Sequence, residues 1–156
     1  METRTHQPIN YQVAEIQLSY KTDLLPSQMP QIERSRSAYD ILFHSWDPSK
    51  LEFIEQFKVL LLNRANKVLG MFEVSSGCLT GTVADPKLIF AAAIKANACG
   101  LILSHNHPSG NLKPSQADID LTKKMKGGGK FLEIQILDHI IVTKEGYFSF
   151  ADEGLL

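Results

Sequence analysis

Residues 56–62 carry a single charged position, Lys58, and run into the apolar stretch Val59, Leu60, Leu61, Leu62. So short an apolar run, closed by Asn63 and Asn66, predicts a buried strand, a turn, and an antiparallel partner over residues 67–74. Residues 101–103 (Leu, Ile, Leu) predict a second buried strand. Further strands are predicted at 132–137, at 140–143 and, after a Lys-Glu-Gly turn, at 147–150. Mixed alternation over 13–18 predicts an edge strand. Helical spacing appears elsewhere. Ala38, Ile41, Leu42 and Ser45 share one face of a helix expected to start at Ser35 or Ser37 and to run to about Trp46, ended by Asp47-Pro48-Ser49. Asp85-Pro86 is a helix start, with the aspartate as cap and proline at the first helical position. The Ala-rich stretch to Asn97 reads as helix, stopped by Gly100. A third helix should open at Ser115 and end in the triplet Gly127, Gly128, Gly129. Strands interleaved with helices around one sheet imply an α/β sandwich with a mixed sheet.

A chain of 156 residues is one domain's length and buries a full core without staples. The formal net charge of −1 supplies no global field for nucleic acid or anionic membrane. No apolar run approaches the length of a bilayer span, and residues 1–12 lack an apolar signal core. Cys78 and Cys99 have no ligand-pair spacing. The expectation is a reduced, cytoplasmic protein, with Cys99 as a small buried helix residue.

Chemistry concentrates after the strand at 101–103. There His105 and His107 are followed by seven turn-prone residues, then Ser115 and Asp118: His-x-His-x7-Ser-x-x-Asp. Two imidazoles at i and i+2 of extended chain point the same way, so both reach one ion. Pro108, Gly110 and Pro114 stiffen a loop that must fold back. Ser115 and Asp118 have the spacing of a capping box. Yet Leu121 and Met125, at i+3 and i+7, place the Asp118 carboxylate on the helix's apolar stripe. An inward acid needs a partner, and a divalent cation facing two histidines supplies one. Two histidines and one acid leave a fourth position open on a tetrahedral zinc, as catalytic sites do. Iron or manganese also suits such donors.

The words Ser-His-Asn-His-Pro-Ser-Gly (104–110), Pro-Ser-Gln-Ala-Asp (114–118) and Leu-Asp-His-Ile-Ile-Val (137–142) resemble the JAMM (MPN+) metallopeptidases, in their RadC-like branch. Upstream, Glu55-Gln56-Phe57-Lys58-Val59 resembles that family's Glu-x-Phe-x-Val strand, and Gly81-Thr82 its Gly-Thr pair. The resemblance covers residues 55–150. It implies a cytidine-deaminase-like three-layer fold over 51–156, with 1–50 as an N-terminal extension of strand plus helix packed on the core. It implies zinc on His105, His107 and Asp118, with Glu55 as the base that handles the water's proton and Ser115 stabilising the oxyanion. The implied partner is a peptide or protein substrate cut at a peptide or isopeptide amide. Longer family members carry a helix-hairpin-helix region, and no Gly-rich hairpin of that kind appears in the first 50 residues.

Each candidate has a plainer alternative. Glu55 shares parity with Phe57, Val59 and Leu61, but a strand-end acid is often simply exposed; Glu52 and Glu73 are the fallback bases. Asp138-His139 is expected to close the junction between two strands, the alternative being a pair beside the ligands or the substrate. Lys123, Lys124, Lys126 and Lys130 suit the last turns of a helix by its dipole. Three other functions remain. A nucleobase deaminase needs His-x-Glu and Pro-Cys-x-x-Cys, which are absent. A DNA-repair-associated or DNA-binding accessory protein rests on the family name and the lysines, against a near-neutral charge. A metal-binding scaffold without turnover of its own is the third.

Overall fold

A computed structural model describes residues 20–77 and 84–156. The strand expected at 13–18, Cys78 and the Gly81-Thr82 pair lie outside them. Among the described residues the strands are β1 (Gln56–Leu62), β2 (Val68–Ser76), β3 (Gly100–Asn106), β4 (Gln135–Val142) and β5 (Tyr147–Ser149). They form one sheet in the order β2-β1-β3-β4-β5. Only β3 and β4 run parallel, joined by a helical crossover; every other pairing is antiparallel. The sheet is therefore mixed, as the interleaving predicts.

Side-chain alternation divides the core in two. Phe57, Val59, Leu61, Leu101 and Leu103 pack against α3 (Pro86–Lys95) and α4 (Gln116–Phe131) through Ile89, Ala93 and Met125. On the other face Leu60, Leu62, Ile102, Ile140 and Val142 pack against α1 (Ser35–Ser45) and the single turn α2 (Pro48–Leu51). The result is three layers, helix on sheet on helix, an α/β fold.

Several boundaries differ from expectation, each for a local reason. Neither Ser35 nor Ser37 is the α1 cap; that position is Arg34. Ser37 sits three residues inside and accepts the Arg34 backbone N–H at 3.2 Å. Asp47-Pro48-Ser49 does not merely end α1: Asp47 caps α2, accepting the Ser49 N–H at 2.9 Å. The helix after Asp85 ends at Lys95, and the chain turns through Asn97 at φ 52°, before Gly100 opens β3. Cys99 in that turn is exposed, not a buried helix residue. The glycine triplet does not end α4, which runs through to Phe131. A Cβ on Gly129 would stand 2.4 Å from the Ile134 carbonyl oxygen, and one on Gly128 2.8 Å from the Phe90 ring. These two glycines are close-approach residues rather than breakers. The expected strands at 132–137 and 140–143 are one continuous strand, β4, with a register break opposite Leu101 and Ile102.

That break matters for the site. Ile136 packs on the α3–α4 face, whereas Ile140 and Val142 lie on the α1 face. Strict alternation would put 136 and 140 on the same face, so the bulge inverts the parity of the rest of β4. It thereby turns His139 toward α4 and His105.

Candidate metal centre

β3 extends three residues beyond the predicted run and carries His105 and Asn106 as strand residues. His107 continues the ladder by donating its N–H to the Val142 carbonyl at 3.1 Å. As two-residue periodicity requires, the rings of His105 and His107 lie together, Nε2 to Nε2, at 3.0 Å. The chain then turns through Gly110, φ 76°, whose N–H returns to the His107 carbonyl at 2.9 Å. It re-enters as α4, whose first turn brings Asp118 Oδ1 to 3.4 Å from His105 Nε2. One ligand atom each from His105, His107 and Asp118 falls within a 4.8 Å spread. Nitrogens bound at 2.0–2.1 Å to a tetrahedral zinc stand about 3.3 Å apart. The donor set and its spacing fit such an ion.

The distal edges of all three groups are engaged. His107 Nδ1 lies 2.5 Å from the Asn111 carbonyl, which only accepts, so that nitrogen bears a proton and Nε2 is bare. His105 Nδ1 lies 2.9 Å from His139 Nε2. Asp118 Oδ2 accepts the Ser115 backbone N–H and hydroxyl, each at 2.7 Å, while the Asp118 N–H returns to Ser115 Oγ at 3.2 Å. Both readings of Ser115–Asp118 therefore hold together: the pair is a capping box, and its acid faces the histidines. The box consumes Oδ2 and leaves Oδ1 for the centre.

Burial sets the charge state. His105 is 1% exposed, and desolvation, opposed by the Asp118 carboxylate, lowers its pKa to about 4. His139 is also buried, and desolvation followed by the neighbouring histidines drives it well below the ordinary histidine range. Both rings are neutral at pH 7, the form that ligates metals.

Glu55, His107 and Ser115 line one cleft of about 400 Å³, with Phe53 and Lys113 on its rim. The structure thus places Glu55 and Ser115 on the same cleft as His107. Both fallback bases are engaged in ion pairs: Glu52, which lines a second cleft beside His107, with Lys144 at 2.9 Å, and Glu73 with Lys58 at 3.5 Å.

The chain matches the RadC-like JAB domain family over residues 32–155. It belongs to that family. A UPF0758 protein of Flavobacterium johnsoniae is 50% identical over 101 residues, 65% of this chain and 44% of that protein. Another, of Symbiobacterium thermophilum, is 44% identical over 103 residues, 66% of this chain and 44% of that one. A third, of Thermosynechococcus vestitus, is 47% identical over 98 residues, covering 63% and 39%. The chain spans less than half the length of these relatives.

Within this RadC-like JAB domain, sequence reasoning missed two working residues and underrated a third. Asn106, between the histidines, faces away from them. Its Nδ2 donates to the Leu51 and Ile54 carbonyls at 2.7 and 2.8 Å, and its Oδ1 accepts the Gln56 N–H at 2.7 Å. These bonds clamp the backbone on both sides of Glu55. Thr122 lies one turn beyond Asp118 and touches His139 at 2.7 Å. A polar residue at i+4 from the candidate acid Asp118, on the apolar stripe, was the available signal. The Asp138-His139 pair divides its labour. Asp138 is structural, its carboxylate accepting from Ser149 Oγ, the His139 N–H and the Ala151 N–H. His139 sits directly behind the His105 ring.

Proposed function

We propose that this domain is a zinc-dependent hydrolase of the JAMM type, cutting peptide or isopeptide amides with an activated water. The observation that carries the proposal is two bare imidazole nitrogens and a carboxylate oxygen converging within 4.8 Å, with Glu55 and Ser115 on the same cleft. When bound there, zinc supplies Lewis acidity, making water a competent nucleophile near neutral pH and polarising a carbonyl. The protein's part is positioning and proton handling. Glu55, held by the Asn106 clamp, takes the nucleophile's proton and returns it to the leaving amine. Ser115 Oγ–H turns from Asp118 Oδ2 toward the developing oxyanion, and the Ser115 backbone N–H keeps that carboxylate oxygen in place. The partner is a peptide or protein whose scissile amide enters the cleft past Phe53 and Lys113.

The test is metal analysis of the purified protein, followed by mass-spectrometric screening of peptide and isopeptide-linked libraries with the zinc-loaded form. Metal-dependent cleavage that disappears in Glu55→Gln, with zinc retained, is the expected result. Stoichiometric zinc without cleavage of any amide would replace this reading with a scaffold.

A further inference from the structure

We infer that His139 and Thr122 are positioning residues: together they fix the ring tautomer of His105 so that its bare nitrogen faces the metal ligands. Proton counting gives the direction at every step. The Asp118 backbone carbonyl can only accept, and Thr122 Oγ1 lies 2.6 Å from it, so the single hydroxyl proton is used there. Thr122 Oγ1 can then only accept from His139 Nδ1, 2.7 Å away, which places a proton on that nitrogen. The His139 ring is wholly buried, stacked on Phe150 at 4.6 Å and tilted against Phe57 at 5.7 Å. A ring in such surroundings stays neutral, so its Nε2 has no proton. His139 Nε2 must accept from His105 Nδ1, 2.9 Å away. His105 Nε2, opposite the His107 nitrogen, is left with its lone pair.

The chain of donors thus starts at the backbone of one ligating residue, Asp118, and ends on the ring of another, His105. It also locks their relative placement, since α4 and β3 are joined through it. Other families of metal sites orient a ligating histidine with a carboxylate or carbonyl. Here a neutral histidine does so, and a threonine one step further out decides which way that histidine points. The β4 bulge is what makes the contact, by turning His139 onto this face. The consequence for metal affinity rests on the proposed metal centre; the tautomer assignment does not.

The experiment uses the full chain, metal-free, with long-range proton–nitrogen NMR correlations of its histidine rings, followed by competitive zinc titration. Wild type should show His105 protonated at Nδ1 and bare at Nε2. Thr122→Ser keeps the hydroxyl and should keep this tautomer. Thr122→Val removes the acceptor, should populate the Nε2–H form of His105, and should weaken zinc binding by about 10- to 100-fold. A loss of packing alone would instead weaken Ser and Val variants alike. The inference is overturned if wild-type His105 carries its proton on Nε2, a result that needs no variant to fold. It is also overturned if Thr122→Val leaves both tautomer and zinc affinity as in wild type. A wild-type protein with the expected tautomers that takes up no zinc would sink the metalloenzyme proposal and leave this one standing.

Discussion

Both faces of the sheet bury polar side chains, and they treat them oppositely. On the α1 face, Lys58 is 4% exposed, with its Nζ 4.5 Å from the Trp46 ring centroid and 3.5 Å from Glu73. Gln56 Nε2 donates to the same carboxylate at 3.1 Å. The cation there has an acid and an aromatic face, so the charge is answered within the protein. On the α4 face, His105 Nε2, His107 Nε2 and Asp118 Oδ1 bring electron pairs together at 3.0 and 3.4 Å. The ring protons point away, from His107 to the Asn111 carbonyl and from His105 to His139, and the Ser115 hydroxyl donates to the far carboxylate oxygen of Asp118. Converging lone pairs repel unless a cation sits among them. On one face the buried charge is paired, whereas the other is arranged for something added.

The largest expected effect follows from removing a member of the incomplete set. Zinc at 100 times its dissociation constant should stabilise wild type by about 2.7 kcal/mol. His107→Ala should show no such gain in thermal melts and should lose all cleavage. The metal-free variant should differ from wild type by less than about 1 kcal/mol, since a repelling nitrogen is removed. A variant that still gains from zinc would show that the ion binds elsewhere. Next comes Glu55→Gln, expected to lower turnover by about 100- to 10,000-fold with zinc binding unchanged. Equal turnover would reject Glu55 as the base.

What was legible in the sequence follows from how local each determinant is. The convergence of His105, His107 and Asp118 was readable because i, i+2 spacing on a strand and an acid one turn into a capped helix are short-range geometry. Glu55 came from the family resemblance, since its approach to the site depends on β1 pairing with β3, Phe57 opposite His105. His139 was read as part of a junction between two strands; only the pairing of one continuous, bulged strand with β3 puts it behind His105. The glycine triplet misled because two of its residues, Gly128 and Gly129, answer to Phe90 and the Ile134 carbonyl, contacts invisible to a helix-propensity rule. Lys58 read as one charge in an apolar strand, and nothing near it in sequence announced Glu73 or Trp46.

Acid offers a third way to test the contrast. His105 and His139 are neutral in the fold and take protons near 6.5 when unfolded, so the unfolded state binds more protons below that pH. Stability of the metal-free protein should therefore be full above about pH 6.5 and fall as the pH is lowered. For His105, with its pKa lowered to about 4, the loss is complete near that value and amounts to roughly 3 kcal/mol. Asp138, whose carboxyl is raised by burial, works in the opposite sense, adding stability as the pH falls through its raised value toward 3.8. Urea midpoints between pH 7 and pH 4 measure this. A flat profile would mean that neither histidine is held neutral.

The smallest expected effect belongs to the face whose buried charge is paired. Lys58→Met keeps the buried stem and removes the ammonium. Its acid partner is 42% exposed and still receives the Gln56 amide, so no buried charge is stranded. Replacing a paired charge by an apolar side chain of similar shape is often close to neutral, and the change should stay within about 1 kcal/mol by urea denaturation. Glu73→Met should cost more, because it removes the carboxylate that pairs with the buried ammonium. Zinc affinity should be the same in both, since the sheet separates them from the histidines. If Lys58→Met instead altered zinc binding, the two faces would be coupled through β1, and the α1 side would have to be counted as part of the site.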